Sequence, residues 1–480
     1  MMNRTILSVI LTLIISVFVV PGVRCTSNFI TSWNTSAVST GSSNQYTIAL
    51  PLVINGQYNA VVSWGDGSSS TITSYTQRAH SYANPGFYTV NITGLFQGFT
   101  FNNTGDKLKL SSISQFGPLG LVDGGGYFYG CANLIVTALD SLNLAGITSM
   151  QSMFSGCTSL TTIPSANNWD TSAITSMNSA FENALRFNQD ISNWDTSSVT
   201  DMSSMFNQPT TLTCAFNQPI GSWNTQSVTS FNSMFHGCKS FNQPLGAWDT
   251  SSAQDMSWMF SNAVVFNQPI RAWNTSAVTT MYAMFSSANA FNQDINPWDT
   301  SSVNSMYQMF YGAAAFNQNL TGWNTQSVQS MSMMFLDALA FNGDVSTWNT
   351  ANVNNMAEMF YQASSFNQPV GTWNTESATS MQSMFGFATS FNQDISQWDV
   401  RKVTSMLGML TKSAFSKSNY NLLLVGWWNL WGLNLQKGVI LSSSATYSAA
   451  PSAAYNARLN LVHARPSGNA WVITDAGSSV

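Results

Sequence analysis

The chain has 480 residues, which is more than one ordinary hydrophobic core accommodates. Only 7% of the residues are charged and the formal net charge is −5, so Asn, Ser, Thr and Gln must cover most of the surface. The sequence has no basic patch and no Lys/Arg-rich amphipathic helix, which argues against binding to nucleic acid or to a membrane surface.

The first 25 residues are typical of a secretory signal peptide. Arg4 precedes an uncharged apolar run over residues 5 to 20, and Pro21 and Gly22 end it. A retained membrane anchor is the alternative. No later apolar stretch is long enough to span a membrane, so we expect a chain without a membrane span after signal removal, either secreted or at the cell surface.

Residues 27–115 alternate apolar and polar side chains in the manner of β-strands. The clearest strand patterns are residues 46–50, 60–64 and 87–92, and Gly65-Asp66-Gly67-Ser68 marks a tight turn. We expect a small all-β sandwich. A calcium-binding role for Asp66 is an alternative to its role in the turn.

Residues 116–410 repeat a 25-residue unit about a dozen times. Trp and Phe-Asn recur at this step, interrupted by a four-residue insertion between Trp194 and Trp223. One unit cannot bury its apolar face alone, so we expect a solenoid in which like residues stack from turn to turn, spanning about 60 Å if strands pair. The tryptophan positions are expected to be buried core rather than an exposed sugar-binding strip. They are Trp169, Trp194, Trp223, Trp248, Trp273, Trp298, Trp323, Trp348, Trp373 and Trp398.

The pattern of residues within each unit predicts one short helix and short extended segments. Met306, Met309 and Phe310 have the i, i+3, i+4 spacing of one helix face, and Ala313 continues it. The segments around Ile295 and Val303 are predicted to be brief extended stretches, one or both of which pair with the next turn. The Trp-Asp/Asn-Thr sequence between them predicts a bend in which the Asp or Asn side chain accepts from the backbone two residues on.

Residues 411–480 end the repeat with a strongly apolar segment around Leu422 to Trp428. The last turn of a solenoid would otherwise expose its core, so this segment is expected to form a C-terminal cap.

The unit from Phe187 to Phe206 resembles the repeat of BspA-like surface proteins, a domain of unknown function first noted in mycoplasmas and similar to leucine-rich repeats. The segments Trp64-Gly65-Asp66-Gly67 and Pro85-Gly86-Phe87-Tyr88 resemble a polycystic-kidney-disease-type (PKD) β-sandwich. The resemblance implies a leucine-rich-repeat-like solenoid, extracellular placement and adhesion or binding, and it brings no catalytic residues.

Cys131, Cys157 and Cys238 fall at the position that alanine takes in other units, which predicts small core residues. Cys131 and Cys157 are one turn apart in register, so a disulfide between them is geometrically feasible. A bridge between Cys214, in the insertion, and Cys238 is a further hypothesis.

No catalytic, cofactor or metal site is predicted. Asp190, Asp294, Asp344 and Asp394 could suggest a calcium ladder, but proline takes their position in other units, which indicates bends instead. His236 and Cys238 lack the sequence context of a catalytic pair, and no phosphate loop or zinc spacing is present. We therefore expect a protein that is not an enzyme.

The sequence favours an adhesion or ligand-binding scaffold with an extracellular protein or glycan partner of unknown identity. The side chains between the two Met positions vary and are expected to face outward as the binding surface: Trp258, Tyr282, Tyr307, Gln308 and Gln382. A self-associating structural component of a wall or matrix is the alternative, and a carbohydrate-active accessory protein ranks last.

Overall fold

The computed structural model describes residues 28–430, 435–463 and 471–479. The predicted signal peptide lies outside the described residues. The N-terminal part contains the strands β1 (Phe29–Asn34), β2 (Thr47–Ala49), β3 (Leu52–Ser63), β4 (Ser69–Ile72), β5 (Ala79–Ser81), β6 (Phe87–Phe99), β7 (Leu110–Gln115), β8 (Leu119–Gly120) and β9 (Ile135–Val136), with a 3₁₀ helix at Tyr75–Gln77.

Seven of these strands form one sheet in the order β4-β3-β6-β1-β7-β9, with β8 paired to β6, while β2 and β5 pair separately. The alternation of side chains explains the strands: in β1, Phe29, Thr31 and Trp33 are buried and their neighbours are not. The three predicted strand segments are confirmed. The predicted turn is also confirmed, since Gly65 and Gly67 have positive φ and Asp66 Oδ1 accepts from the Ser68 N–H (2.9 Å).

The N-terminal sheet runs directly into the repeat. Strand β7 pairs in parallel with β9, which lies within the repeat, and the Phe101 N–H donates to the Tyr127 carbonyl oxygen (3.1 Å). A fully buried ion pair between Lys109 and Asp106 (3.2 Å) lies at this junction. Residues 101–115, placed in the N-terminal unit on sequence grounds, thus already contact the first repeat.

Successive repeat units are hydrogen-bonded to one another in parallel. One parallel bridge joins each unit to the next, as Ser305 to Ser330 and Ser330 to Asn355. From there alternate N–H groups donate to the following unit: Met306 to the Ser330 carbonyl oxygen (3.1 Å) and Phe310 to that of Met334 (2.9 Å). The pairing falls at Ser305, two residues beyond Val303, so the segment around Val303 pairs with its neighbours through an isolated bridge. The segment around Ile295 forms no strand.

The predicted helix in each unit is absent from the described residues 116–410, where the only helical element is a 3₁₀ turn at Ala166–Asn168. The Met-x-x-Met-Phe segment forms successive tight turns instead. Gln308 has a φ of 56°, in the left-handed region, and the Met309 N–H donates to the Met306 carbonyl oxygen (3.2 Å). The N–H groups of Met306, Gln308 and Phe310 donate to the next unit, so the helical i to i−4 pattern cannot form.

Like side chains stack along the repeat, as predicted. Trp273 and Trp298 have ring centroids 6.1 Å apart, and Phe285 and Phe310 are 5.7 Å apart. The ten repeat tryptophans are 0–4% exposed, which confirms that they are core residues. The Nε1 of Trp298 donates to the Ile270 carbonyl oxygen of the preceding unit (3.2 Å), so the buried indole is not left without a partner.

Polar side chains form ladders beside this core. Asn267 Oδ1 accepts from the Asn292 N–H (3.0 Å) and from Gln293 Nε2 (2.8 Å) of the next unit. Asp299 Oδ1 accepts from the Ser301 N–H (2.9 Å), which confirms the predicted bend. These bonds satisfy backbone N–H groups at the bends of the repeat.

The C-terminal part covers the last repeat unit. It contains β10 (Met406–Leu410), α1 (Lys417–Asn429), β11 (Ile440–Ser443), β12 (Tyr447–Ser448), α2 (Ala453–Val462), β13 (Val472–Thr474) and β14 (Ser478–Ser479). Strands β11 and β13 extend the parallel pairing from β10. Phe415 stacks on Phe391 (6.1 Å), and the Ser416 N–H donates to Asn392 Oδ1 (2.9 Å), the last rung of the Asn ladder. None of the helices in the described part of the chain has the length and apolarity of a membrane span.

Candidate functional site

Three of the predicted surface residues form a row of aromatic side chains. Trp258, Tyr282 and Tyr307 are each partly exposed and come from consecutive units. Ring centroids are 5.1 Å apart between Trp258 and Tyr282 and 4.9 Å apart between Tyr282 and Tyr307. We call these three residues the aromatic row. It exists because the inter-unit hydrogen bonds bring the same segment of each unit into register.

The two predicted glutamines differ in their relation to this row. Gln308 lies beside Tyr307, and the Nε2 of Gln308 and the Oη of Tyr307 both approach Met333 Sδ (3.4 Å each). Gln382 is partly exposed in the equivalent position to Tyr307 three units later, and Ser332 and Ala357 occupy the intervening units. The structure therefore groups Gln308, but not Gln382, with the aromatic row.

The aromatic row leads to an open groove beside the inserted turn. The groove has a volume of about 570 Å³ and is lined by Glu182, Asn183, Asn207, Gln208, Pro209, Ser233, His236 and Trp258. Trp258 meets the His236 ring edge to face, with centroids 5.7 Å apart and an interplanar angle of 81°. Trp258 thus belongs both to the row and to the groove.

Two buried polar atoms of the groove have no hydrogen-bond partner among the described residues. They are Gln208 Oε1 and His236 Nδ1. Gln208 is only 2% exposed, and its Nε2 donates weakly to the Phe181 carbonyl oxygen (3.4 Å). Burial lowers the pKa of His236 from its ordinary value, which favours the neutral imidazole. An unpaired buried acceptor is costly, so its presence in a groove indicates a place for a ligand donor.

The insertion and a disulfide shape this groove. Cys214, in the insertion, is bonded to Cys238, with Cα atoms 4.6 Å apart, within the range that disulfides require. Pro209 begins the insertion and lines the groove. Because the Cys238 sulfur is in the disulfide, the residue cannot act as a thiol beside His236.

The bridge considered between Cys131 and Cys157 is not formed: both are free, buried cysteines. Cys157 Sγ instead donates to the Phe128 carbonyl oxygen (3.2 Å). Burial raises the pKa of both thiols, so they behave as small core side chains.

The aspartates of the repeat act in bends. Asp294 Oδ1 accepts from the Asn296 N–H (2.9 Å), and Asp344 and Asp394 make the same bond two residues on. Within residues 28–430, 435–463 and 471–479, no group of three or more His, Cys, Asp or Glu side chains could hold a metal ion.

The contribution of Glu182 and Gln208 to a site was missed in the sequence, and His236 was considered only as a partner for Cys238. The four-residue insertion is the sequence signal that could have pointed to them, because it breaks the register that pairs polar groups in other units. The aromatic row was predictable because its residues share one segment of the repeat.

Neither a curated protein nor a solved structure shows significant similarity to the chain. A family model described as "Mycoplasma protein of unknown function, DUF285" matches three times in tandem, over residues 125–215, 210–323 and 314–423. These matches cover more than half of the chain and coincide with the stacked units. The chain therefore belongs to the DUF285 family.

Proposed function

We propose that the protein is a secreted or cell-surface scaffold that binds an extracellular partner, a protein or a glycan, without catalysing a reaction. In this proposal the repeat units form a leucine-rich-repeat-like solenoid of the BspA-like type, preceded by a small PKD-like β-sandwich. The observation that carries it is the aromatic row of Trp258, Tyr282 and Tyr307 in three consecutive units.

The rigidity of the row supports a binding role. Trp and Tyr side chains offer large contact areas and lose little conformational entropy on binding. The row stands on backbone that is hydrogen-bonded from unit to unit, as by the Ala283 N–H to the Tyr307 carbonyl oxygen (2.9 Å). A preformed surface of this kind lowers the ordering cost of association.

The cysteine chemistry supports an extracellular location. A disulfide such as Cys214–Cys238 persists in oxidising compartments and is rare in the cytosol. The proposed signal peptide over residues 1–25 is consistent with the same compartment.

A binding screen of the purified chain against extracellular matrix proteins, glycans and whole cells tests the proposal. Binding should weaken at least about tenfold in the double variant Tyr282→Glu/Tyr307→Glu, because the partner would bury two unpaired carboxylates at the interface. Gln326→Glu, an exposed position at another bend of the repeat, is the control and should bind normally. Equal binding by both variants would refute the aromatic row as the binding surface.

Light scattering at increasing concentration examines the alternative of a structural matrix component. A chain that stays monomeric excludes side-by-side self-association. If the particle size grows with concentration, and grows equally in the variant Tyr282→Glu/Tyr307→Glu, self-association is favoured over the proposed function.

A further inference from the structure

We propose that the groove beside the inserted turn binds the guanidinium group of an arginine side chain on a protein partner. The inference rests on the proposed function, since Trp258 belongs both to the groove and to the aromatic row. It narrows the partner from a protein or glycan to a protein that presents arginine.

The side chains that line the groove offer hydrogen-bond acceptors and include no permanent positive charge. Gln208 Oε1 and His236 Nδ1 have no hydrogen-bond partner among the described residues. The Glu182 carboxylate accepts one hydrogen bond from the described residues, donated by Asn207 Nδ2 (3.0 Å). No Lys or Arg lines the groove. A ligand with N–H donors would therefore find acceptors on Gln208 and Glu182, and a positive charge would be favourable beside Glu182.

Trp258 supplies the second element of the site. Its indole is partly exposed at the edge of the groove and contacts the His236 ring. A cation over the face of Trp is attracted by the ring quadrupole, and Arg forms such contacts more often than Lys. The planar guanidinium can stack on an aromatic ring while its N–H groups reach acceptors in its plane.

The geometry of the donors favours arginine over lysine and over a sugar. Guanidinium carries five N–H donors and no acceptor, which suits three separate acceptors on Glu182, Gln208 and His236. A lysine ammonium is compact, with three donors on one atom. Sugar hydroxyls donate and accept alike, whereas Gln208 Oε1 only accepts, as does His236 Nδ1 in the neutral ring with its proton on Nε2.

The state of His236 is compatible with this role. In the neutral imidazole with the proton on Nε2, Nδ1 accepts a hydrogen bond. Charged groups facing the ring are limited to Glu182 among the residues that line the groove, and Trp258 packs against the ring from the next unit.

Histidine NMR of the full chain tests the inference, because the chain has only three histidines, His80, His236 and His463. The probe is N-acetyl-arginine N-methylamide, and the matched controls are the citrulline and lysine analogues and maltotriose. We expect a saturable shift of the His236 signals with the arginine probe, while those of His80 and His463 stay constant. Citrulline keeps the shape and loses the charge, so it should bind at least about tenfold more weakly.

Variants identify the groups responsible. Glu182→Gln and Trp258→Ala should each weaken binding of the arginine probe about tenfold, and Trp258→Phe should recover part of the loss. Gln326→Ala, at an exposed bend outside the groove and the aromatic row, should leave it unchanged. Unperturbed signals of His80 and His463 in each variant show that the chain is folded.

Three results would overturn the inference: no saturable shift of His236 with arginine, an equal response to citrulline, or a response to maltotriose alone. Its failure is distinguishable from failure of the proposed function. If a partner binds through Tyr282 and Tyr307 but Glu182→Gln has no effect on arginine or partner, only the groove assignment fails. If arginine shifts His236 while Tyr282→Glu/Tyr307→Glu leaves partner binding intact, only the aromatic row fails.

Discussion

The regular repeat units and the inserted turn use the same segment differently. In the regular units the second residue after Met-x-x-Met-Phe has a left-handed φ, as in Gly237, Asn262, Gly312 and Gln362. Gln208 takes this position in the inserted unit and does not have a positive φ. Its side chain is buried with an unpaired oxygen, whereas the ladder amide of Asn267 serves two donors of the next unit.

The difference shows how a strict repeat can hold a site. Where each unit copies its neighbour, buried polar side chains find partners in the adjacent unit. The four-residue insertion interrupts this copying once, and Gln208 Oε1 and His236 Nδ1, the unpaired buried side-chain atoms among the described residues 116–410, lie beside it. Local departures from an otherwise consistent pattern are expected at functional positions.

The largest expected contrast concerns the cysteines of the two regions. In the native chain, iodoacetamide should not label Cys131 and Cys157, because burial raises the pKa of both thiols and the thiolate is the reactive form. In urea both should be labelled, while the peptides of Cys214 and Cys238 stay linked until a reductant is added. Peptide mass spectrometry measures this, and a linked Cys131–Cys157 peptide would contradict the structure.

Two tryptophans compare a core position of the repeat with a surface position at the edge of the groove. Trp298→Ala should destabilise the chain by about 3–5 kcal/mol, since a 1% exposed indole leaves a cavity. Trp258→Ala, the matched change at a partly exposed site, should cost about 1 kcal/mol or less. Urea unfolding followed by far-ultraviolet circular dichroism compares them. Similar unfolding midpoints for the two variants would show that stacking of the Trp298 ring does not stabilise the chain.

The Asn ladder of the regular units should be worth less than the tryptophan core. Asn292 Oδ1 accepts from the Asn317 N–H (2.9 Å) and Gln318 Nε2 (2.8 Å). Asn292→Ala removes this acceptor and should lower the free energy of unfolding by about 1–2 kcal/mol. Asn292→Asp keeps an acceptor oxygen and serves as the control. The same unfolding experiment measures both, and an unchanged midpoint in Asn292→Ala would argue against the ladder.

The smallest expected effect is a pH dependence confined to the groove. Burial lowers the pKa of His236 in the folded chain, so the unfolded chain binds more protons as the pH falls below about 6.5. Folding is thus favoured above this pH and loses stability below it. His236→Gln should reduce the difference between unfolding midpoints at pH 7.5 and pH 5.5. An identical difference in the variant would show that His236 does not contribute to it.

The sequence predicted the parts of the fold that depend on position within the unit. Burial of Trp298 and the bend at Asp299 follow from an apolar residue and an Asx side chain that recur every 25 residues. The helix over Met306–Phe310 was wrong because the i, i+3, i+4 spacing also fits successive tight turns. Glycine or asparagine at the left-handed position, as in Gly312 and Asn262, was the signal that favoured turns.

The site could be predicted only in part, for a related reason. Residues of the aromatic row share one segment, so their alignment follows from the repeat. Glu182 and His236 also share a position, the residue after the Phe that ends this segment. The buried, unpaired oxygen of Gln208 depends instead on how the chain accommodates the insertion, and no periodic pattern describes that. The two cysteine pairs differ in the same way. Repeat register alone suggested a disulfide between Cys131 and Cys157, which are free, whereas the insertion places Cys214 where it bonds to Cys238.

The parallel bonding of each unit to its neighbours also makes the length of the protein adjustable. Removing residues 316–340 would bring Phe341 next to Phe291, with the same partners that Phe316 has now. Each such change would move the C-terminal segment relative to the groove by about 4.8 Å. The number of repeat units therefore sets the distance between the groove and the C-terminal segment. Evolution can change this distance while the contacts within and between units stay the same.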